Sequence, residues 1–216
     1  MNTDYFIIVQ KVGETVDKKA IVKKTIEKSN GIAKTAELIT VGLSKTDISK
    51  LCNDGYIVRV RHGYYSLADA NETQEEQLIQ TILPEAIVCV ESALFHYGYS
   101  DFAPRIWTLA VPRTMTKTKL NMDAFSYKPY YVQNKLLELG KTYSEFNGIK
   151  LPVYDRERTI CDCFKYRTKL DNEIFNKALN AYVADDNKNL SNLSKYAKEM
   201  KLYKKVMDLM EVLLNG

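Results

Sequence analysis

The chain has 216 residues, of which 45% are hydrophobic and 27% charged, and its formal net charge is +4. This composition is ordinary for a globular protein and argues against extensive disorder. No run of about 18 apolar residues predicts a membrane span. An acidic residue, Asp4, stands where a signal peptide has its basic region, so we expect a cytoplasmic protein with no membrane partner. The length suits two modest domains.

The first predicted helix covers residues 20–28 and ends near the Asn30-Gly31 pair. Its apolar positions are Ile21, Val22 and Ile26. Residues 1–17 precede it as an N-terminal extension, whose apolar run 5–9 is compatible with a strand or with one buried helical turn.

Two short helices around a glycine turn follow. Thr35 is the predicted N-cap of the first, which covers residues 36–41 and is turned by Gly42. Ser44 is the predicted N-cap of the second, and Gly55 can adopt the left-handed conformation that ends a helix. The shared core is expected to contain Leu38, Ile39 and Leu43.

The second of these helices has an apolar and a polar face. The apolar positions, by i, i+3, i+4 spacing, are Ile48, Leu51 and Cys52. The outward positions are Lys45, Thr46, Ser49, Lys50 and Asn53. Asp47 is the one acidic residue, and it lies near the N-terminus, where the helix macrodipole favours an acid. A polar, basic face of this kind is typical of a helix that enters the DNA major groove, and an ordinary solvated face is the alternative.

A basic β-hairpin comes next. Its strands are residues 57–61 and 64–67, and His62 and Gly63 make the turn. The alternation of the first strand directs two valines to the core and two arginines to solvent, namely Val58, Val60, Arg59 and Arg61. Two helices around a tight turn, followed by a hairpin, predict a winged helix-turn-helix over residues 1–70.

Positive charge is concentrated in this segment. Residues 17–68 contain ten basic and five acidic residues, a net charge of +5, whereas the whole chain has +4. The rest of the chain therefore sums to about −1. A concentrated basic patch favours binding to a polyanion, and a basic solubilising surface is the alternative.

The second domain, residues 71–216, is predicted to combine a small sheet with a helical C-terminal half. A helix over residues 72–83 ends at Pro84, and the domain boundary is expected near residues 68–73. The other predicted strands are residues 87–90, 105–111, 126–133 and 149–154. The other predicted helices are residues 91–97, 156–167, 172–184, 193–201 and 203–214. The fold class is therefore α+β, with a winged helix-turn-helix followed by a mixed α/β domain.

The motif D-R-E-R-T-I-C-D, residues 155–162, invites a functional interpretation. Asp155 is a predicted N-cap, and Arg158 is expected to pair with Asp162 on an exposed face. A catalytic interpretation would use Asp155, Glu157 and Asp162 as paired acids or metal ligands, yet no histidine or suitably placed lysine accompanies them. The cysteines form no C-x-x-C pair, and no glycine-rich phosphate loop is present, so we predict neither a metal nor a cofactor.

Lysines near the C-terminus are a further basic feature. They are Lys188, Lys195, Lys198, Lys201, Lys204 and Lys205. They form either a second nucleic-acid contact or the solvated faces of terminal helices.

Two sets of motifs resemble the AbiEi family of antitoxins. The N-terminal winged-helix domain of that family is similar to G-I-A-K-T-A-E-L, G-L-S and L-C-N-D-G-Y-I-V-R-V-R-H-G-Y-Y-S-L. Its C-terminal domain is similar to E-S-A-L, residues 91–94, and to D-R-E-R-T-I-C-D. The resemblance covers residues 20 to the C-terminus.

The resemblance implies a bacterial antitoxin of the type IV, abortive-infection kind that is not an enzyme. Such a protein binds double-stranded DNA at inverted repeats in its own promoter and represses the operon. Its C-terminal domain counteracts a nucleotidyltransferase-like toxin, without a stable complex. The implied DNA contacts are Lys34, Thr35, Lys45, Thr46, Ser49, Lys50, Arg59, Arg61 and His62. The implied C-terminal signature, with no assigned chemistry, is Glu157, Arg158, Thr159 and Asp162.

Two alternatives remain open at this point. One is a DNA-directed nuclease or group-transfer enzyme that uses the C-terminal carboxylates. The other is a protein-interaction module whose basic wing and helices bind an acidic partner.

Overall fold

The computed structural model describes residues 17–69, 74–116 and 125–215. The predicted N-terminal extension, apart from Asp17, lies outside these residues, as does most of the predicted boundary segment. The chain divides into two compact units, Met1–Thr73 and Gln74–Gly216. The fold is α+β, as the sequence predicts.

The first unit is a winged helix-turn-helix. Its elements are α1 (Lys18–Lys28), β1 (Ala33–Lys34), α2 (Thr35–Thr40), α3 (Lys45–Asn53), β2 (Ile57–Arg61) and β3 (Tyr64–Leu67). The three strands form an antiparallel sheet in the order β1-β3-β2. The three helices cover one hydrophobic core, which includes Val22, Ile26, Leu38, Leu43, Ile48, Leu51 and Ile57.

The prediction that Ile39 lies in this core is wrong. Its side chain is 44% exposed, whereas Leu38 and Leu43 are buried. Successive residues of a helix point about 100° apart, and α2 has only six residues. Leu38 faces the core, so its neighbour points away from it.

The predicted core position of Val58 is also wrong. Ile57 is 1% exposed and Val60 is 5% exposed, but Val58 is 45% exposed. A β-bulge between Arg59 and Arg61 shifts the register of β2 against β3. The extra residue breaks the two-residue period, so inward positions are separated by three residues here.

The second unit contains a mixed five-stranded sheet and a helical C-terminal half. Its elements are α4 (Glu75–Ile82), β4 (Ile87–Val88), α5 (Val90–His96), β5 (Trp107–Pro112), β6 (Tyr127–Val132), α6 (Asn134–Leu137), β7 (Lys141–Phe146), β8 (Ile149–Tyr154), α7 (Arg156–Lys165), a 3-10 turn (Arg167–Lys169), α8 (Asn172–Ala184), α9 (Leu190–Glu199) and α10 (Tyr203–Asn215). The strand order is β6-β5-β4-β8-β7. Strands β5 and β6 are parallel, as are β4 and β8.

Strand β7, the edge strand that pairs with β8, was not predicted from the sequence. All six of its residues are exposed or half-buried, so no alternation of apolar residues indicates a strand. Asn147 and Gly148 form the turn between β7 and β8, and both have a positive φ. Tight turns of this kind need residues that tolerate the left-handed region.

Helix α7 is the central helix of the second unit. Every residue from Glu157 to Cys163 is buried, so the helix is enclosed on all sides. The buried core around it contains side chains from the sheet and from α5, α8, α9 and α10. Polar side chains on such a helix must find their partners inside the protein.

Candidate nucleic-acid interface

Helix α3 begins with a reciprocal cap between Ser44 and Asp47. The Ser44 Oγ accepts from the Asp47 N–H at 3.1 Å, and the Asp47 carboxylate accepts from the Ser44 N–H at 3.0 Å. Lys18 Nζ lies 2.6 Å from Asp47 Oδ1. Hydrogen bonds from Lys18 and Ser44 hold the pKa of Asp47 well below its usual range. The one acidic side chain of α3 is thus occupied by the cap and by α1.

Helix α3 ends in the motif that the sequence predicts. Gly55 has φ +68°, its N–H donates to Cys52 O at 3.0 Å, and the Tyr56 N–H donates to Leu51 O at 2.9 Å. These two bonds form a Schellman motif, which satisfies the last carbonyls of the helix. The wing strand β2 starts directly after it, so α3 and the wing are joined by an ordered turn.

The outward face of α3 is exposed as predicted. Ile48 and Leu51 are buried on the opposite side. The exposed residues are Lys45, Thr46, Ser49, Lys50 and Asn53. This face therefore presents lysines, hydroxyls and an amide to solvent, the side chains that contact phosphates and base edges in protein–DNA complexes.

The wing turn is bound to the start of α2 through Thr35, which is not the N-cap that we predicted. Its N–H donates to Gly63 O at 2.9 Å and its hydroxyl donates to the same oxygen at 3.3 Å. Since the hydroxyl is used across the wing, the cap is made instead by the Glu37 carboxylate, which accepts from the Lys34 N–H at 2.7 Å. The contact ties the wing to the helix-turn-helix.

Tyr64 brings two of the predicted contacts together. Lys34 Nζ lies 5.9 Å from the centroid of its ring, and Arg61 Cζ lies 5.7 Å from it. Cations over an aromatic face are attracted by its quadrupole. Tyr64 was not among the predicted contacts, although two tyrosines directly after the wing glycine, Tyr64 and Tyr65, could have indicated it. The remaining wing residues, Arg59 and His62, are exposed.

The predicted C-terminal signature lies inside the second unit. The side chains of Glu157, Arg158, Thr159 and Asp162 are 5%, 0%, 0% and 1% exposed. The prediction of an exposed Arg158–Asp162 pair is therefore wrong, because α7 is covered on every side. Helical spacing brings the two charges together but does not reveal burial.

Two acidic residues of the D-R-E-R-T-I-C-D motif, Asp155 and Glu157, join α7 to other parts of the unit. The Asp155 carboxylate caps the helix and accepts from the Tyr196 hydroxyl at 2.9 Å. Glu157 Oε1 accepts from the Asn189 N–H at 2.7 Å and from the Tyr182 hydroxyl at 3.2 Å. The carboxylates are occupied by structural hydrogen bonds.

Arg158 makes the largest number of these contacts. Its Nε donates to Asp162 Oδ1 at 3.3 Å, and its Nη1 donates to Leu136 O at 2.7 Å and to Leu139 O at 2.8 Å. Its Cζ lies 4.1 Å from the centroid of the Tyr154 ring. Burial raises the pKa of Asp162, against the opposing effect of Arg158. The guanidinium therefore connects α7 to α6 and to the residues that directly follow α6.

Among the described residues, no group of three histidine, cysteine or acidic side chains is placed to hold a metal ion. The His96 ring packs against the rings of Tyr97 and Phe146. In the described part of the chain, no helix is both long and apolar enough to cross a membrane.

These features define a two-unit protein with a winged helix-turn-helix at its N-terminal side and a mixed α/β unit after it. Residues 21–68 match the family model described as "Transcriptional regulator, AbiEi antitoxin". The match confirms the resemblance of the N-terminal motifs to AbiEi antitoxin regulators and lies within the first unit. The C-terminal motifs lie outside the matched residues.

The fold is similar to the crystal structure of the RV2827C protein from Mycobacterium tuberculosis. The TM-score is 0.63 with 13% sequence identity, and the similarity covers 84% of this chain and 71% of that chain. At this identity the likeness shows the fold alone. No curated protein matches the sequence.

Proposed function

We propose that the protein is a cytoplasmic, DNA-binding autorepressor and the antitoxin of a type IV toxin–antitoxin system. The observation that carries the proposal is the exposed face of α3. Its lysines are free of acidic neighbours on the same helix, because Asp47 is engaged by Ser44 and Lys18. The family match over residues 21–68 supports the regulatory role.

In this proposal α3 enters the major groove of double-stranded DNA. Lys45, Thr46, Ser49 and Lys50 contact base edges and nearby phosphates. The wing grips the sugar–phosphate backbone or an adjacent minor groove through Arg59, Arg61 and His62. Lys34 and Thr35 stand at the base of the wing, where Tyr64 and Gly63 hold them. The target is a pair of inverted repeats in the protein's own promoter.

The second unit carries the antitoxin activity in this proposal. It counteracts a nucleotidyltransferase-like toxin encoded beside it, without catalysis and without a stable complex. The signature residues support this role indirectly, since Arg158 and Glu157 hold α6, α8 and the start of α9 around α7. Co-expression with the neighbouring gene tests the role. Growth should be restored by the intact chain, while the two proteins elute separately on size-exclusion chromatography.

DNA binding is tested by fluorescence anisotropy with the upstream promoter fragment and a shuffled duplex of the same length. The test variant is Lys45→Gln with Lys50→Gln. The matched control is Lys23→Gln with Lys24→Gln, which removes the same charge from exposed positions of α1. The α3 variant should lose about tenfold to a hundredfold in operator affinity, and more on the operator than on the shuffled duplex.

The control variant should lose affinity for both duplexes by similar, smaller factors. Equal losses in the two variants, or equal losses on the two duplexes, would show that only net charge matters. The assignment of α3 as the recognition helix would then be wrong.

A further inference from the structure

A basic cavity lies within the second unit. Its volume is about 440 Å³. Four cationic side chains line it, together with Tyr131 and Gln133; the cations are Arg113, Lys135, Lys165 and Lys201. This volume is within the usual range of about 300–1,000 Å³ for small-molecule sites.

The cavity is at the carboxyl ends of two neighbouring parallel strands. Arg113 directly follows β5, and Gln133 directly follows β6. The Arg113 N–H donates to Val132 O at 2.8 Å, which holds the two strand ends together. In sheets with parallel strands, ligands bind outside the carboxyl ends of the strands. The cavity therefore lies outside the carboxyl ends of this parallel pair, at one edge of the mixed sheet.

The charge of the cavity is strongly positive. Glu199 is the one acidic residue in its lining, against four cations. Among the described residues, none of the ion pairs involves any of these four side chains. Lys165 is half-buried, and burial lowers its pKa. Like charges that converge in a partly buried space are stabilised by an anion.

Lys201 occupies a backbone position that usually belongs to glycine. It follows the C-cap of α9 with φ +59°. Its N–H donates to Lys198 O at 3.0 Å, and the Leu202 N–H donates to Ala197 O at 2.7 Å, a Schellman motif. A lysine here costs conformational energy that glycine avoids. Lys201 also lines the cavity, so replacing it with glycine relieves the backbone strain and removes a cation from the lining at the same time.

The buried signature supports one wall of the cavity. Arg158 donates to Leu136 O and Leu139 O, and α6 carries both Leu136 and Lys135 into the lining. Helix α7 carries Lys165 at its C-terminal end. Arg158 is thus a positioning residue, which acts on the cavity through α6.

We propose that this cavity binds a nucleoside triphosphate. The excess of three positive charges in the lining matches a polyphosphate better than a single phosphate group. The Tyr131 ring is 43% exposed and offers a face on which a base can stack. The Gln133 amide can donate to and accept from the edge of that base. This site goes beyond the proposed DNA-binding and antitoxin roles and is independent of them.

Isothermal titration calorimetry on the full chain tests the site, with ATP, GTP, CTP, UTP, inorganic triphosphate and inorganic phosphate as probes. At least one nucleoside triphosphate should bind with a dissociation constant in the micromolar to low millimolar range. Lys135→Gln should weaken it by roughly tenfold. The matched control is Lys195→Gln, an exposed lysine of α9 outside the cavity, which should leave binding unchanged.

Lys201→Gly distinguishes an effect on nucleotide binding from an effect on the stability of the fold. Glycine suits the left-handed backbone, so the unfolding midpoint should rise while nucleotide affinity falls by roughly tenfold. Tyr131→Ala should weaken the nucleotide by about tenfold and leave inorganic triphosphate unaffected. If these side chains were merely structural, Lys201→Gly would not raise stability while lowering nucleotide affinity. Nor would Tyr131→Ala weaken the nucleotide while sparing inorganic triphosphate.

Three results would overturn the proposal. The first is no saturable heat with any nucleoside triphosphate at millimolar concentration. The second is equal affinity for inorganic triphosphate and the nucleotides, which would remove base recognition. The third is competitive displacement of the nucleotide by a short unrelated DNA duplex, which would assign these cations to a nucleic-acid surface instead.

Discussion

Arg158 and Asp162 lie one turn apart on α7, and both are almost completely buried, with Nε and Oδ1 3.3 Å apart. The same guanidinium also holds two carbonyl oxygens of the segment that follows β6. A buried ion pair of this kind adds little net stability, but removing one partner leaves an uncompensated charge. The pair therefore makes the second unit sensitive to single substitutions at either position.

Replacing Arg158 should destabilise the second unit strongly. Arg158→Met leaves the Asp162 carboxylate buried without its partner, so the free energy of unfolding should fall by about 3–5 kcal/mol. Urea unfolding followed by Trp107 fluorescence measures this change, since the chain has one tryptophan and it is in β5. Arg156→Met is the control, because the Arg156–Asp185 pair is partly exposed and should contribute less than about 1 kcal/mol. Similar losses of unfolding free energy in the two variants would show that burial does not set the two ion pairs apart.

Gly140 should not tolerate a side chain. A Cβ at this position would lie 2.5 Å from Arg158 Cβ, and φ is +72°. Gly140→Ala should therefore combine backbone strain of about 1–2 kcal/mol with an overpacking cost of about 1–3 kcal/mol. The matched control is Gly148→Ala, with φ +79° and no atom within 4 Å of the added Cβ. It should show the strain alone, and equal destabilisation by both substitutions would exclude the clash.

Asp185 should contribute to the acid dependence of stability. Its carboxylate accepts from the Tyr99 hydroxyl at 2.6 Å and from Arg156 Nε at 2.9 Å. The Tyr99 hydrogen bond above all lowers the pKa of Asp185 to about 2, from 3.8. Because the folded pKa is the lower one, this stability is fully present above about pH 4 and is lost as the pH falls towards 2.

The measurement is the urea concentration at the midpoint of unfolding, followed as a function of pH. In Asp185→Asn this midpoint should fall less steeply between about pH 4 and 2 than in the unchanged chain. The control is Asp186→Asn, at the exposed neighbouring residue, in which the midpoint should fall with pH as it does in the unchanged chain. If the midpoint of Asp185→Asn fell with pH as it does in the unchanged chain, the acid dependence would belong to other groups.

The wing arginines should govern salt dependence rather than sequence preference. If the winged domain neutralises about four to six phosphates, log affinity should fall against log salt with a slope of about −4 to −5. Arg59→Ala with Arg61→Ala should reduce the magnitude of this slope by about 2 and weaken operator and shuffled duplex alike. Anisotropy titrations at several salt concentrations give both quantities. A slope near zero in the unchanged chain, or a loss confined to the operator, would contradict the role of the wing.

The elements that local chemistry controls could be predicted well from the sequence. Ser44 and Gly55 define α3 because a cap and a left-handed terminus need only their immediate neighbours. The bounds of α8 and β8 coincide with the prediction for the same reason. Thr35 shows the limit, since its hydroxyl bonds a residue of the wing rather than its own helix.

The exposed face of α3 and the wing turn were therefore determined by the sequence alone, because a helix period and a glycine turn depend on residues a few positions apart. Only the tertiary structure decided three other features: the burial of Arg158, the bulge in β2 after which Val60 faces the core as Ile57 does, and the convergence of four cations on one cavity. Those cations are Arg113, Lys135, Lys165 and Lys201. Each of these depends on which elements pack together. Residues far apart in the chain meet only once the sheet and helices have set that packing.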